Sequence, residues 1–266
     1  MATIDSMPHL AGAAPAAQPR VRTITTGDLR EALSRGWEDF KAKPSHLVFL
    51  ALIYPIAGVV LAQLTVSYNI FPLLFPLLAG FALLGPFAAI GLYEISRRRE
   101  KGIDSSWGHA FAVLKSRAIG SIAMLGALLT GLFLLWLAVA WGLYRGLFGW
   151  EPLLSIGGFL RDVLTTPSGW ALILIGNAVG LAFAIAALSL TVVSFPLLLD
   201  RHVDLATAVR TSIAAVQHNP RVMAIWGLIV AGLLVLGTLP VLVGLVVVMP
   251  VLGHATWHLY RKVVEN

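Results

Sequence analysis

His254 and His258 stand four residues apart in "GHATWHLYRK", a spacing that sets both imidazoles on one face of a helix. Neutral imidazoles so placed can ligate a transition metal, and either one can hold a haem iron. Two such ligands without a third fall short of a metal set. No metal and no cofactor is therefore expected, and interfacial hydrogen bonding is the expected role of the pair. Glu94 is the second candidate: it closes an apolar stretch in "GPFAAIGLYEISRRREKG" and is followed at three and four residues by Arg97 and Arg98, the spacing of a helical ion pair. Gln63 and Asn177 are polar intruders in apolar runs, where amides more often bond neighbouring helices than ligands. The chain has no phosphate-binding loop, no HExxH, no dinucleotide fingerprint and no Gly-x-Ser-x-Gly elbow. Catalysis is not expected, and no catalytic residue is assigned.

The elements that must position these residues belong to a membrane protein. Of 266 residues 58% are apolar and only 12% charged, against about 25% charged in soluble domains, and the mean hydropathy is +0.85. The net charge of +6 comes from short basic clusters between apolar runs, a pattern of membrane flanks and not of a nucleic-acid surface. The bilayer is the expected partner, other membrane proteins are the further class open to it, and nucleic acid is not expected. Cysteine is absent, so disulfides and thiolate sites are excluded.

A bilayer core of about 30 Å needs roughly 20 apolar helical residues. Runs of that length lie at about 47–66, 71–95, 119–143 and 170–197. The run from Val222 to Tyr260 is too long for one crossing and is interrupted at "GTLP", where Pro240 cannot donate its backbone hydrogen bond. It divides into spans at about 222–238 and 241–260. Residues 25–262 thus read as one six-span domain, after an Ala/Pro-rich lead at 1–24 that is expected to be disordered and before a short tail at 263–266. The lead lacks the basic start and apolar core of a secretory signal. "TTGDLREAL" then offers Thr26 or Asp28 as a helix cap, with Glu31 following.

With six spans, every basic residue except Arg145 and Arg161 falls on one side, which the positive-inside rule places in the cytoplasm together with both termini. Glu94, Arg97, Arg98 and Arg99 then mark the cytoplasmic boundary of the second span. Trp141, Tyr144, Phe148, Trp150 and Trp170 cluster at the outer side, and Trp107, Trp257 and Tyr260 near the inner one, as interfacial belts do. The outer segment "EPLLSIGGFLRDVLTTPSG" reads as a helix lying in the interface.

Internal similarity adds an architecture. "DLREALSRGWEDFKAKP" from Asp28 aligns without gaps with "DLATAVRTSIAAVQHNP" from Asp204, and "DSSWGHAFAVLKSRAIG" from Asp104 is a looser third copy. "GFALLGPFAAIGLYEISRR" aligns with "GLVVVMPVLGHATWHLYRK", setting His258 opposite Glu94. The expected fold is all-α: six transmembrane helices in three parallel helical-hairpin repeats with amphipathic interfacial helices. Trp37, Phe40, Phe111, Leu114 and Val216 are expected on the apolar faces of those helices.

The segments "TTGDLREALSRGWEDFKAKPSHLVF", "LLGPFAAIGLYEISRRREKG" and "SWGHAFAVL" resemble a family of bacterial integral membrane proteins of unknown function, some of whose members carry a cytochrome c oxidase subunit label. The resemblance covers about residues 25–262. It implies a bacterial inner-membrane protein and offers no catalytic residues. Parallel repeats and scarce buried polar groups point to an accessory, scaffold or envelope-homeostasis component. The alternative is a transporter or channel for an apolar or lipid-like solute, and a respiratory oxidase-associated subunit is the third reading.

Overall fold

Backbone polar groups in hydrocarbon must find partners within the chain, and a helix supplies them locally. The computed structural model describes residues 19–42, 70–81, 85–150, 155–201, 203–240 and 242–265 with positions 58, 60 and 63, and its regular elements are helices. In chain order they are α1 (Thr26–Ala42), a 3-10 turn (Phe71–Leu73), α2 (Leu74–Phe81), α3 (Gly85–Ala88), α4 (Ile90–Glu100) and a 3-10 helix (Trp107–Lys115). There follow α5 (Ile119–Phe148), α6 (Ile156–Thr165), α7 (Pro167–Thr191), α8 (Ser194–Asp200), α9 (Leu205–His218), α10 (Pro220–Thr238) and α11 (Leu245–Val263).

Three helical stretches among the described residues are long and apolar enough to cross a membrane: Ile119–Phe148, Pro167–Asp200 and Pro220–Thr238. Of the other three expected spans, one lies outside the described residues and two do not reach that standard within them. The first, at 47–66, falls outside the described residues except for positions 58, 60 and 63. The second, at 71–95, is described as α2, α3 and α4, with positions 82–84 outside the described residues and a turn at Ala89 just beyond Pro86; proline removes an amide donor and crowds the preceding turn. The sixth corresponds to α11, which contains Pro250 and carries His254, His258, Arg261 and Lys262. Those polar residues take it below the apolarity of the other three.

The core forms where the helices converge at the end bearing the arginine run, hereafter the basic end. α11 is its centre, with Leu252, Ala255, Trp257, Leu259 and Tyr260 buried, and α1, α4 and α10 pack around it. α1 offers α11 the stripe Leu29, Ala32, Gly36 and Asp39, one side of a 3.6-residue helix. Its Trp37 is instead exposed and stacked on Phe40 at 5.2 Å. Trp257 and Tyr260, expected in an interfacial belt, are interior residues. Farther along, α5 and α7 pair, and Trp136 sits in a slot between two glycines. A Cβ on Gly80 would lie 2.6 Å from the Phe133 ring atom Cδ2 and 3.0 Å from Trp136, and one on Gly180 3.1 Å from Trp136. The indole Nε1 donates to the Pro76 carbonyl at 2.9 Å, tying α5 to α2.

Asp204 caps α9 by accepting from the Thr207 amide at 2.6 Å, and Asp28 accepts from the Thr25 amide at 2.8 Å at the start of α1. The segment after Asp104 is a 3-10 helix where an amphipathic α-helix was expected. It nevertheless exposes Phe111 and Leu114. The segment expected in the outer interface forms α6, capped by Ser155 and turned into α7 at Thr166, with Ile156, Leu160 and Leu164 exposed. Nearby, the Arg145 guanidinium lies 4.3 Å from the Trp141 ring centroid and 4.9 Å from that of Trp150, a cation held by aromatic faces.

Residues 20–24, placed by composition in the lead, are fastened at both edges. The Arg22 amide donates to Val263 O and the Glu265 amide to Arg20 O, forming an isolated bridge between Val21 and Val264. On the other side the buried Asn219 amide accepts from the Ile24 amide and donates to Arg22 O, both at 2.9 Å. Asn219→Ala leaves that donor and acceptor unmatched, at about 1–3 kcal/mol. The expected result is faster proteolytic trimming through residue 24, and cleavage at the wild-type rate would show that the amide does not hold the strap.

Candidate functional site

The stripe that docks α1 ends in a carboxylate. Asp39 is 6% exposed and lies where α1, α4 and α11 meet. A buried carboxylate is tolerated only with donors around it, and here three converge. Ser96 Oγ donates to Oδ2 at 2.5 Å, His258 Nε2 donates to Oδ2 at 2.8 Å, and Arg99 donates to Oδ1 at 2.7 Å. Because the single Ser96 proton points to Asp39, the 2.8 Å contact between Ser96 Oγ and His254 Nδ1 must be donated by the imidazole. The order His258, Asp39, Ser96, His254 is thus a continuous hydrogen-bonded chain. Burial works to raise the Asp39 carboxyl, but hydrogen bonds from His258 and Ser96 and the facing imidazoles outweigh it and hold the group below the usual carboxylate range.

Around this centre further charges are paired, within α4 and across helices. Arg97 makes a two-pronged contact with Glu94 at 2.7 and 2.9 Å, and Arg98 adds a third bond at 2.8 Å. Glu100 accepts from Trp257 Nε1 and from Arg261, both at 3.0 Å. Asp200 accepts from the Tyr260 hydroxyl at 2.8 Å and from Arg261 at 3.3 Å. Lys262 reaches Glu31 at 2.6 Å, returning the network to α1. Arg201 donates to the Glu265 carbonyl and closes the rim.

His258 meets Asp39, and not Glu94 as the aligned hairpins suggested, because Glu94 is enclosed by Arg97 and Arg98. Glu94→Gln removes the charge from a side chain that is 2% exposed. Both arginines reach solvent in part, so the expected loss is about 1.5–3 kcal/mol, the worth of hydrogen bonds to a charged group. A chemical-unfolding midpoint unchanged from wild type would count against that pairing. Asn177 donates at 2.7 Å to the Ile173 carbonyl of its own helix and faces outward, and Gln63 is also exposed. Neither amide reaches the seam.

Asp39, Ser96, Glu100 and Asp200 were not singled out from sequence. For Asp39 a signal existed, since the carboxylate continues the Leu29, Ala32, Gly36 stripe at helical spacing. For the others the partners are distant in the chain, with Asp200 and Glu100 meeting only through Arg261.

Among the described residues no group of three or more histidine, cysteine or carboxylate side chains is arranged to hold a metal ion. The imidazoles of His254 and His258 are engaged with Ser96 and Asp39. Serine, histidine and aspartate also meet here in an order unsuited to nucleophilic attack. A hydrolytic triad places histidine between serine and aspartate to take the hydroxyl proton, whereas Ser96 lies between the other two, gives its proton to Asp39 and has no exposed surface. Solvent reaches the seam through an open depression of about 350 Å³ lined by Arg35, Glu38, Asp39, Arg99, Glu100 and His258.

Long apolar helices with outward-facing leucine, isoleucine and valine, closed at one end by a polar seam, define a helical integral membrane protein. Residues 73–200 match the family described as "Predicted integral membrane protein (DUF2189)", the same character of family that the sequence resembles, one without an assigned function. The match runs from α2 to α8 and takes in the arginine run. No curated protein and no solved structure matches the chain.

Proposed function

We propose that this chain is a six-span protein of a bacterial inner membrane, with the basic end and both termini in the cytoplasm, and that it acts without catalysis as an accessory, scaffold or envelope-homeostasis component. The observation that carries this reading is how the polar groups on the apolar helices are engaged. Asn177, Thr130, Thr191 and Thr238 each donate to a carbonyl of their own helix, so these donors are not directed across helices to line a path. The depressions of about 170 and 350 Å³ are lined by residues of the basic end, among them Arg210 and Arg99. A hydrogen-bonded polar seam beneath exposed apolar helices suits a protein that works by contact. The basic surplus at that end supports the cytoplasmic assignment, each residue near anionic lipid being worth about 1 kcal/mol.

The test is purification from the native membrane in mild detergent, with mass spectrometry of what accompanies the chain and a visible spectrum of the sample. A stoichiometric membrane-protein partner is expected, and a colourless sample. A chain that purifies alone and supports flux of a lipid-like solute in vesicles would replace this reading with transport. A Soret band together with respiratory subunits would favour the oxidase-associated alternative.

A further inference from the structure

We infer that Asp39, Ser96, His254 and His258 together form a proton-binding site, loaded through the depression at His258, whose occupancy sets how firmly α1 is held against α11. This stands independently of the scaffold reading. Its basis is the convergence of four side chains from three helices into one hydrogen-bonded chain at 2.8, 2.5 and 2.8 Å. Donor and acceptor roles along it are fixed by the proton inventory. His258 Nε2 and His254 Nδ1 are donors, which leaves His258 Nδ1 and His254 Nε2 as the atoms where a further proton can add. Histidine is the side chain whose ordinary titration lies near neutral pH.

The exposures give the chain a direction. His258 is 8% exposed and lines the depression, whereas His254 is 4% exposed and Ser96 is fully buried. A proton from solvent adds at His258 Nδ1 and leaves the Nε2–H bond to Asp39 in place, so no other bond is made or lost. The surrounding charges limit the load. From α1 the site is faced by Arg35 and Glu38, from α4 by Arg99 and Glu100, and from α11 by Arg261, which is met by Glu100 and Asp200. Glu94, Arg97 and Arg98 are closed on one another. The first imidazolium gains a charge-assisted bond to Asp39. A second meets the first and Arg99, so the two histidines take up one proton between them.

The mechanical consequence follows from where Asp39 sits. It is the polar member of the buried stripe on α1, and the other three, Leu29, Ala32 and Gly36, contribute shape and apolar contact only. Proton uptake strengthens the grip of α11 on that carboxylate. Release at higher pH weakens it and loosens the helix that carries the exposed Trp37, stacked on Phe40.

The experiment uses the full chain in lipid nanodiscs between pH 5.5 and 8. Hydrogen exchange of α1 amides, corrected for intrinsic rates, is measured beside the NMR titration of ¹³C-labelled histidines assigned by single substitution. The expected result is that His254 and His258 titrate as a coupled pair, and that α1 protection falls as pH rises through their midpoint while α9 protection stays level. Asp39→Asn should weaken proton affinity at the pair about tenfold. Protection of α1 that is indifferent to pH across that midpoint overturns the proposal without any variant. If Asp39→Asn does not fold, His258→Gln decides, because it removes the imidazole that takes up the proton and leaves the carboxylate in place. Protection of α1 that still falls with pH as in the wild type also overturns the proposal.

Discussion

Asp39→Ala is expected to release α1 from the bundle and to lower stability by about 3–5 kcal/mol, the cost of breaking a buried charge cluster by removing one partner. The size comes from simultaneity: Ser96, His258 and Arg99 all lose their acceptor on the same carboxylate. Solvent entering from the depression can rehydrate Arg99, whose side chain is 39% exposed, but not Ser96, which has no exposed surface. The check is reversible unfolding in mixed micelles together with limited proteolysis of α1, and a variant with both profiles unchanged would sink the assignment of the seam as the clamp. The same carboxylate gives a pH signature. Its folded pKa is depressed, so its contribution is fully present above the unfolded carboxylate value of about 3.9 and is lost as pH falls through the folded value. Asp39→Ala should therefore be less sensitive to acid than wild type in that window, even though it is less stable above it.

Gly36→Leu is expected to have a comparable effect through shape alone. A Cβ at Gly36 would lie 2.6 Å from the Ala255 backbone nitrogen and 2.8 Å from its Cα and Cβ. Backbone cannot swing aside as a side-chain tip can. The two helices must separate, and separation lengthens the bonds from Asp39 to His258 and Ser96 less than one turn further along. Overpacking alone costs about 1–3 kcal/mol, and loss of the seam adds to it. Gly131→Ala in α5 is the matched control, because nothing lies within 4 Å of its Cβ. There the better helix propensity of alanine should leave stability unchanged or raise it by up to about 1 kcal/mol. Equal unfolding midpoints for Gly36→Leu and Gly131→Ala would show that α1 does not dock closely on α11.

The sequence by itself determined that this is a helical membrane protein, because hydrocarbon admits few backbone arrangements and runs such as 119–143 and 222–238 need no long-range partner to be helical. It also brought Glu94 together with Arg97 and Arg98, since three- and four-residue spacing is a local property of a helix. It read 71–95 as one crossing on length and apolarity, whereas a turn at Ala89 beyond Pro86 interrupts the helix there. A Cβ at Gly253 would lie 2.6 Å from Leu92, a contact that no count of apolar residues anticipates. Only the tertiary structure decided which acid the two histidines serve. Asp39 and His258 are separated by 219 residues, and local periodicity carries no information about a partner that distant. What selects it is the register of α1 on α11, set where Gly36 meets Ala255. That register places the carboxylate ending one stripe beside both imidazoles on another helix, and it leaves Glu94 to its arginines.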